Sequence, residues 1–249
     1  MGDRFTLCHA ITARWEGGWS DHPADPGGKT MYGITEAVYH AWLRTKGRAT
    51  RPVRGITKAE ALEIYRDRYW NPTAARYRLK PGVDLATYDA GVNAGVARAI
   101  QWLTKAQGGP DHQTVKKICA ARLSFKQALK TWATFGKGWT RRVADIEAKG
   151  VAMALAAAAE MHDVQQQLED EAHEAKTTAG RQEGGALAGG GGAAGGGVVS
   201  GTDIADPLAG WVLLAFVVAA AGAAAFLVWR AHVNRARADA YETEAEGMA

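Results

Sequence analysis

The feature that most constrains the fold is a run of 22 residues without a charged side chain, Leu208 to Trp229. As an α-helix this run would measure about 33 Å, against about 30 Å for the hydrocarbon core of a bilayer. Trp211 and Trp229 stand near its two ends, where interfacial aromatic residues occur in membrane spans. Core helices are seldom apolar over such a length. The sequence therefore predicts one transmembrane helix at 207–230.

Composition divides the rest of the chain. Residues 151–183 are rich in Ala, Gln and Glu and hold no proline, which predicts a helical stalk. Residues 184–206 are rich in glycine, which predicts a flexible linker. Residues 231–249 follow the predicted span as a short tail. We therefore expect the main folded part within residues 1–150.

Residues 1–150 carry mostly helical patterns. Asp3 is placed to cap a first helix, Thr35 a second, and Thr57-x-x-Glu60 forms a capping box before a third. Apolar residues at helical spacing predict one further helix over 84–106. Few stretches alternate with period two, so strands are limited to a small hairpin in the first loop. The predicted fold class is mainly α.

Charge is distributed unevenly. Residues 1–150 hold 25 Lys and Arg against 13 Asp and Glu, a net charge of +12. Such a domain suits a polyanionic partner, such as nucleic acid, an anionic membrane surface or an acidic cell wall. No nucleic-acid recognition motif accompanies the charge, so we expect no nucleic-acid partner. No cluster of His, Cys and Asp has metal-ligand spacing, and we expect neither a metal nor an organic cofactor.

The loop RWEGGWSDHPADPGGKTMYGIT, from Arg14 to Thr35, concentrates glycines and carboxylates after the first helix. Glu16 is predicted in the last turn of that helix, where the helix dipole disfavours a second negative charge and favours the protonated acid. The loop can present Asp21, His22 and Asp25 across a cleft from Glu16, and two carboxyls that flank one bond suit glycoside hydrolysis. Spacing alone leaves the alternative of an exposed glutamate beside a glycine turn, with the aspartates in Asx turns.

The segment EGGWSDHPADPGGKTMYGIT resembles the signature of glycoside hydrolase family 108, the phage and bacterial peptidoglycan muramidases. The resemblance continues in IYRDRYWNP, GVDLATYDAGVNAGVARAIQWL and FGKGWTRRV. It implies a lysozyme-like helical catalytic domain at 1–103 and an abbreviated, peptidoglycan-binding-like helical segment at 104–150. In that family the glutamate of E-G-G is the catalytic acid, and the resemblance therefore implies this role for Glu16.

The remaining site residues are predicted from their place beside this motif. Asp25 is expected as the base or electrostatic stabiliser. The aromatic candidates could stack on sugar rings or belong to the core, and Thr35 could be only a helix cap. Asp89 and Asn93 could line the cleft or satisfy buried backbone groups. The predicted substrate-binding residues are Trp19, Asp21, His22, Thr30, Tyr32, Thr35, Tyr69, Trp70, Asp89 and Asn93.

Together these features predict a membrane-anchored endolysin that cleaves the β-1,4 bond between N-acetylmuramic acid and N-acetylglucosamine. Its expected partners are peptidoglycan, membrane lipid around Leu208–Trp229, and a holin-type pore that helps release the enzyme. Arg230, Arg235 and Arg237 follow the predicted span, so the positive-inside rule places the C-terminus in the cytoplasm and the catalytic domain outside. The alternative is a non-enzymatic wall-binding or secretion-accessory membrane protein.

Overall fold

The computed structural model describes residues 3–21, 28–158, 161–194 and 207–248; at 161–163, 188–194, 207–217 and 220 it describes the backbone alone. The chain divides into two compact units, Met1–Val164 and Gln165–Ala249. The predicted segments 1–103 and 104–150 both lie in the first unit.

The first unit is built almost entirely of helices. One two-stranded antiparallel sheet interrupts them, and a 3₁₀ turn and a π-helical segment flank the third helix. The elements are α1 (Arg4–Ala13), β1 (Thr30–Met31), β2 (Ile34–Thr35), α2 (Glu36–Thr45), a 3₁₀ turn (Val53–Gly55), α3 (Lys58–Tyr65), the π-helical segment (Arg66–Ala75), α4 (Val83–Ala94), α5 (Val96–Ala106), α6 (Asp111–Gln127) and α7 (Trp132–Ala156).

The predicted helix starts are confirmed. The side chain of Asp3 accepts a hydrogen bond from the Phe5 N–H at the start of α1, and Thr35 accepts one from Val38 at the start of α2. Thr57 and Glu60 form a complete capping box. These side chains satisfy backbone donors that a helix N-terminus leaves free.

The predicted hairpin is also present. Thr30 pairs with Thr35 and Met31 with Ile34, leaving a two-residue connection. Both connecting residues have positive φ, 51° at Tyr32 and 72° at Gly33. This is the backbone of a type I′ turn, whose twist matches that of the flanking strands.

Helix α4 lies at the centre of the first unit. Each of its residues from Val83 to Gly91 is buried, and it packs against α1, α5, α6, α7 and the π-helical segment. The prediction of one continuous helix over 84–106 is wrong. Gly95, with φ 94°, ends α4 and begins α5.

The second unit pairs helix α8 (Met161–Ala194) with helix α9 (Pro207–Glu246). Ion pairs Lys176–Glu242 and Arg235–Glu183 run between the two helices, which are therefore antiparallel. Next to the Arg235–Glu183 pair, the Asn234 amide donates to the Gln182 side-chain oxygen at 3.0 Å. The buried faces are mostly alanine: Ala172, Ala175, Ala179 and Ala186 on α8, and Ala231, Ala238 and Ala245 on α9.

These helices revise the predicted appendages. Residues 151–156 of the predicted stalk belong to α7, and α8 extends to Ala194, so the first part of the predicted flexible linker at 184–206 is helical. The remainder of that linker, 195–206, lies outside the described residues. A Cβ on Gly185 would lie 3.6 Å from Leu227 Cδ1, an ordinary van der Waals distance, so α8 and α9 lie in contact at this glycine.

The predicted transmembrane helix is not supported. Over the residues that the structure describes, no helix combines the length and the apolar character that crossing a membrane requires. Part of the predicted span Leu208–Trp229, residues 208–217 and 220, lies outside the described side chains.

Candidate active site

Glu16 lies just beyond α1, in a turn rather than in the last turn of the helix as predicted. Its N–H donates to the Ala13 carbonyl at 3.2 Å. The preceding residue ties this turn to α7, because the Trp15 indole N–H donates to Asp145 Oδ2 at 2.9 Å. The position of Glu16 therefore depends on two helices that are far apart in sequence.

Arg142 of α7 makes an ion pair with Glu16, with 2.8 Å between Nη1 and Oε1. The Arg142 side chain is only 6% exposed and that of Glu16 is 19% exposed. The sequence argument considered only the helix dipole at Glu16, and it did not include this contact with a buried arginine.

Behind Arg142 lies a buried carboxylate. Asp89 of α4 accepts hydrogen bonds from Arg142 Nη2 at 2.8 Å and from Arg122 Nη1 at 2.6 Å. Burial alone would raise the pKa of Asp89, and the two guanidinium groups instead hold that pKa below its ordinary value. Burial likewise disfavours the Arg142 cation, but the charges of Asp89 and Glu16 raise its pKa above the ordinary value. Asp89 and Arg142 are therefore both charged at neutral pH.

The second oxygen of Glu16 faces the hairpin turn. A Cβ on Gly33 would lie 2.5 Å from Glu16 Oε2 and 2.5 Å from the Tyr65 hydroxyl oxygen. That hydroxyl donates to the Tyr32 carbonyl at 2.8 Å. Burial and then the nearby charge of Glu16 raise the pKa of Tyr65, so it stays a neutral donor. Only glycine, at φ 72°, allows the turn to approach the carboxyl so closely.

Glu16 lines an open pocket of about 230 Å³. The pocket contains one carboxyl, one imidazole, one amine and two phenols among apolar atoms, a combination suited to a polar ligand with apolar faces. Its lining residues are His9, Ala13, Glu16, Gly17, Tyr32, Lys58, Ala61, Leu62 and Tyr65.

The comparisons with known proteins agree with this geometry. The sequence model of the family Glycosyl hydrolase 108 matches residues 9–95, a range that includes all the lining residues of the pocket. The solved structure of SagA from Brucella abortus is 36% identical, with a TM-score of 0.53, over 60% of this chain and 95% of that one. The chain belongs to the glycosyl hydrolase 108 family. No curated protein matches it. Family membership makes the first unit a glycoside hydrolase domain.

In this glycosyl hydrolase 108 domain, three of the predicted aromatic residues are not fully buried. Tyr32 lines the pocket. Tyr69 is half-buried, with its ring 5.7 Å from that of Tyr65. Trp19 is 37% exposed, and the Arg54 guanidinium lies 5.1 Å from its ring centre. Each of the three has surface that a sugar ring could contact.

Two predicted substrate-binding residues are buried instead. Trp70 is 8% exposed and packs edge-on against Phe5 and Tyr88, so it belongs to the core. Asp89 is 0% exposed and holds arginines rather than facing the cleft. Asn93 accepts from Arg122 Nη2 at 3.0 Å and thus extends the same buried network.

The other predicted residues lie around the hairpin and its loop. Thr35 caps α2, and the Thr30 hydroxyl donates to the Gly28 carbonyl at 3.0 Å. Asp21 is exposed. His22 and Asp25 lie outside the described residues.

Sequence reasoning missed His9, Lys58, Tyr65 and Arg142. His9 precedes Glu16 by two helical turns, so the spacing of α1 could have suggested that both face one side. The arginine pair of FGKGWTRRV was visible as a motif, but nothing local linked it to Glu16.

His9 provides a pH-dependent test of this arrangement. Its ring stacks on Phe5, with Nδ1 2.8 Å from the Tyr88 hydroxyl, and burial lowers its pKa below 6.5. The unfolded chain therefore binds this proton at a higher pH than the folded chain, and folding stability falls as pH drops below about 6.5. We expect His9→Gln to lose less stability than wild type between pH 7.5 and pH 5, measured by urea unfolding. His112→Gln, on α6 outside the pocket, is the control. Equal losses in wild type and His9→Gln would contradict the assignment.

Proposed function

We propose that the protein is a peptidoglycan hydrolase that cleaves the β-1,4 bond between N-acetylmuramic acid and N-acetylglucosamine. The observation that carries the proposal is Glu16 at the pocket, with Oε1 held by Arg142 and Oε2 beside the hairpin turn. Membership of the glycosyl hydrolase 108 family supports the reaction type. The net charge of +12 over residues 1–150 supports an anionic polymer as substrate.

In this mechanism Glu16 protonates the oxygen of the leaving sugar. A second group activates water or stabilises the oxocarbenium-like transition state, and Asp25 is the candidate for that role. Tyr32, Tyr65 and Lys58 border the pocket in which the sugar would bind. The apolar parts of the pocket would exclude water from the reacting bond, which strengthens the electrostatic interactions within it.

The products identify the bond that is cleaved. Purified full-length protein is incubated with peptidoglycan sacculi, and the released muropeptides are reduced with borohydride and analysed by mass spectrometry. We expect N-acetylmuramitol ends. N-acetylglucosaminitol ends would show a glucosaminidase, and 1,6-anhydro ends would show a lytic transglycosylase. The absence of soluble fragments, with binding to sacculi retained, would favour a wall-binding protein.

A separate substitution tests the second catalytic group. Asp25→Asn should lower turnover by about 100-fold or more while binding to sacculi changes little, because the carboxylate acts in the transition state. Asp21→Asn, four residues earlier in the same loop, is the matched control. A fully active Asp25→Asn enzyme together with an inactive Asp21→Asn enzyme would transfer the role to Asp21.

We also propose, from the sequence, that the protein acts as an endolysin anchored by Leu208–Trp229, with its C-terminus in the cytoplasm. The uncharged run and the following arginines support this localisation. A holin-type pore would serve as the helper that releases the enzyme. Carbonate extraction of membranes tests the anchor, and protease digestion of spheroplasts tests the orientation. Full release by carbonate would overturn the anchor.

A further inference from the structure

We propose that Arg142 is the positioning residue of this active site, and that Asp89 and Arg122 fix Arg142 in turn. This inference rests on the proposed function of Glu16. It assigns a role in turnover to a buried carboxylate on α4, although Asp89 lies out of contact with the substrate.

The four groups form a chain of alternating charge. Glu16 contacts Arg142, Arg142 contacts Asp89, and Asp89 contacts Arg122. The Arg122 and Asp89 side chains are 1% and 0% exposed. Burying such charges costs several kcal/mol per ion, which their mutual attraction offsets only when the geometry is good. Apolar residues would fill the same space at lower cost. We therefore expect this costly network to serve a function, which is to fix the orientation of Glu16.

Arg142 uses separate edges of its guanidinium for its two partners. Nε and Nη2 donate to the two oxygens of Asp89, at 3.2 and 2.8 Å. Nη1 remains for Glu16 Oε1, at 2.8 Å. Since Asp89 is already satisfied by one edge and by Arg122, structural support of α4 does not require the contact with Glu16. A lysine has no planar fork and cannot make both sets of contacts.

The arrangement distinguishes the two oxygens of Glu16. Oε1 is held by a cation, and Oε2 lies at the hairpin turn near the Tyr65 hydroxyl. Held in this way, the carboxyl presents Oε2 as the atom that carries the proton for transfer. A freely rotating carboxyl would spend much of its time in orientations from which no transfer to the glycosidic oxygen is possible.

Several other titratable groups lie around Glu16. Besides Arg142 from α7, they come from α1, the hairpin, α3, the π-helical segment and α4. These groups are His9, Tyr32, Lys58, Tyr65, Tyr69, Tyr88 and Asp89. Arg142 is the charged group in direct contact with the carboxyl among the described residues.

The test compares Arg142→Gln, Arg142→Lys and Asp89→Asn with wild type, using release of reducing ends from sacculi. We expect Arg142→Gln to lower kcat by about 10- to 100-fold with little change in KM, because binding contacts remain while the acid is no longer oriented. Arg142→Lys keeps the positive charge but lacks the planar fork, so it should recover only part of kcat.

Asp89→Asn should lower kcat in the same way as Arg142→Gln, and the double variant should be no worse than the poorer single one, because both act through Glu16. Arg141→Gln, at the exposed neighbouring position, is the matched control and should keep wild-type kinetics. Thermal unfolding verifies that each variant is folded. If Arg142→Gln does not fold, the kcat values of Arg142→Lys and Asp89→Asn are compared with wild type in its place.

Wild-type kcat in folded Arg142→Gln, or in both Arg142→Lys and Asp89→Asn if Arg142→Gln does not fold, would overturn the positioning role. Failure of the positioning role can be distinguished from failure of the proposed function. An active wild-type enzyme inactivated by Glu16→Gln but not by the Arg142 variants refutes only the positioning role. A wild-type protein that releases no muropeptides refutes the proposed function.

Discussion

Glu16→Gln is expected to lower muropeptide release by at least about 100-fold, the usual scale for loss of a general acid. The amide retains the shape of the side chain, and its oxygen can still accept a hydrogen bond from Arg142 Nη1. It carries no acidic proton for the leaving oxygen. Binding to sacculi and thermal stability should therefore remain close to wild type. The measurements are initial rates of reducing-end release and a sedimentation assay with sacculi.

Glu63→Gln is the matched control for this substitution. Glu63 lies on α3 with its side chain 57% exposed and outside the pocket. Its variant should keep wild-type turnover. If Glu16→Gln and Glu63→Gln are equally active, Glu16 is not the acid.

Gly33→Ala should have a comparable effect on turnover, for steric reasons. The added Cβ would lie 2.5 Å from both Glu16 Oε2 and the Tyr65 hydroxyl, closer than any real contact allows. The carboxyl would have to move, and a displacement of about 1 Å in an active site can cost about 100-fold in rate. The φ of 72° adds strain for alanine, and we expect a loss of about 1 kcal/mol or more in stability. Kinetics and urea unfolding measure the two effects.

Gly47→Ala distinguishes the effect of backbone strain from the effect of the steric contact with Glu16. Gly47 has a φ of 66°, and a Cβ there would meet no atom within 4 Å. This variant should show the stability loss without the loss of turnover. Equal turnover in the two variants would mean that the hairpin turn does not determine the position of Glu16.

Structural features that depend on neighbouring residues could be predicted from the sequence. Caps at Asp3, Thr35 and Thr57 mark helix starts through local hydrogen bonds. The scarcity of period-two stretches limited strands to one small hairpin in the first loop. Such signals act over three or four residues and therefore survive in a single sequence.

Features that depend on distant packing were not predictable in this way. Arg142 reaches Glu16 only because α7 packs beside the end of α1, and no periodicity encodes that contact. The sequence left Trp70 either to stack on sugar or to belong to the core, and it lies in a π-helical segment. A π-helix bonds i to i+5 and turns each side chain to a different face from an α-helix. Helical spacing around Trp70 therefore gave no guide to its burial.

The polar pairs between α8 and α9 have a topological consequence. Asn234 donates a direct hydrogen bond to Gln182. Two residues in direct contact lie on the same side of a membrane, because a bilayer core of about 30 Å would otherwise separate them. A single crossing between residues 207 and 230 would place them in opposite compartments. The pairing of α8 with α9 and the proposed crossing are therefore mutually exclusive. Insertion of the proposed span would have to break the Lys176–Glu242, Gln182–Asn234 and Glu183–Arg235 pairs.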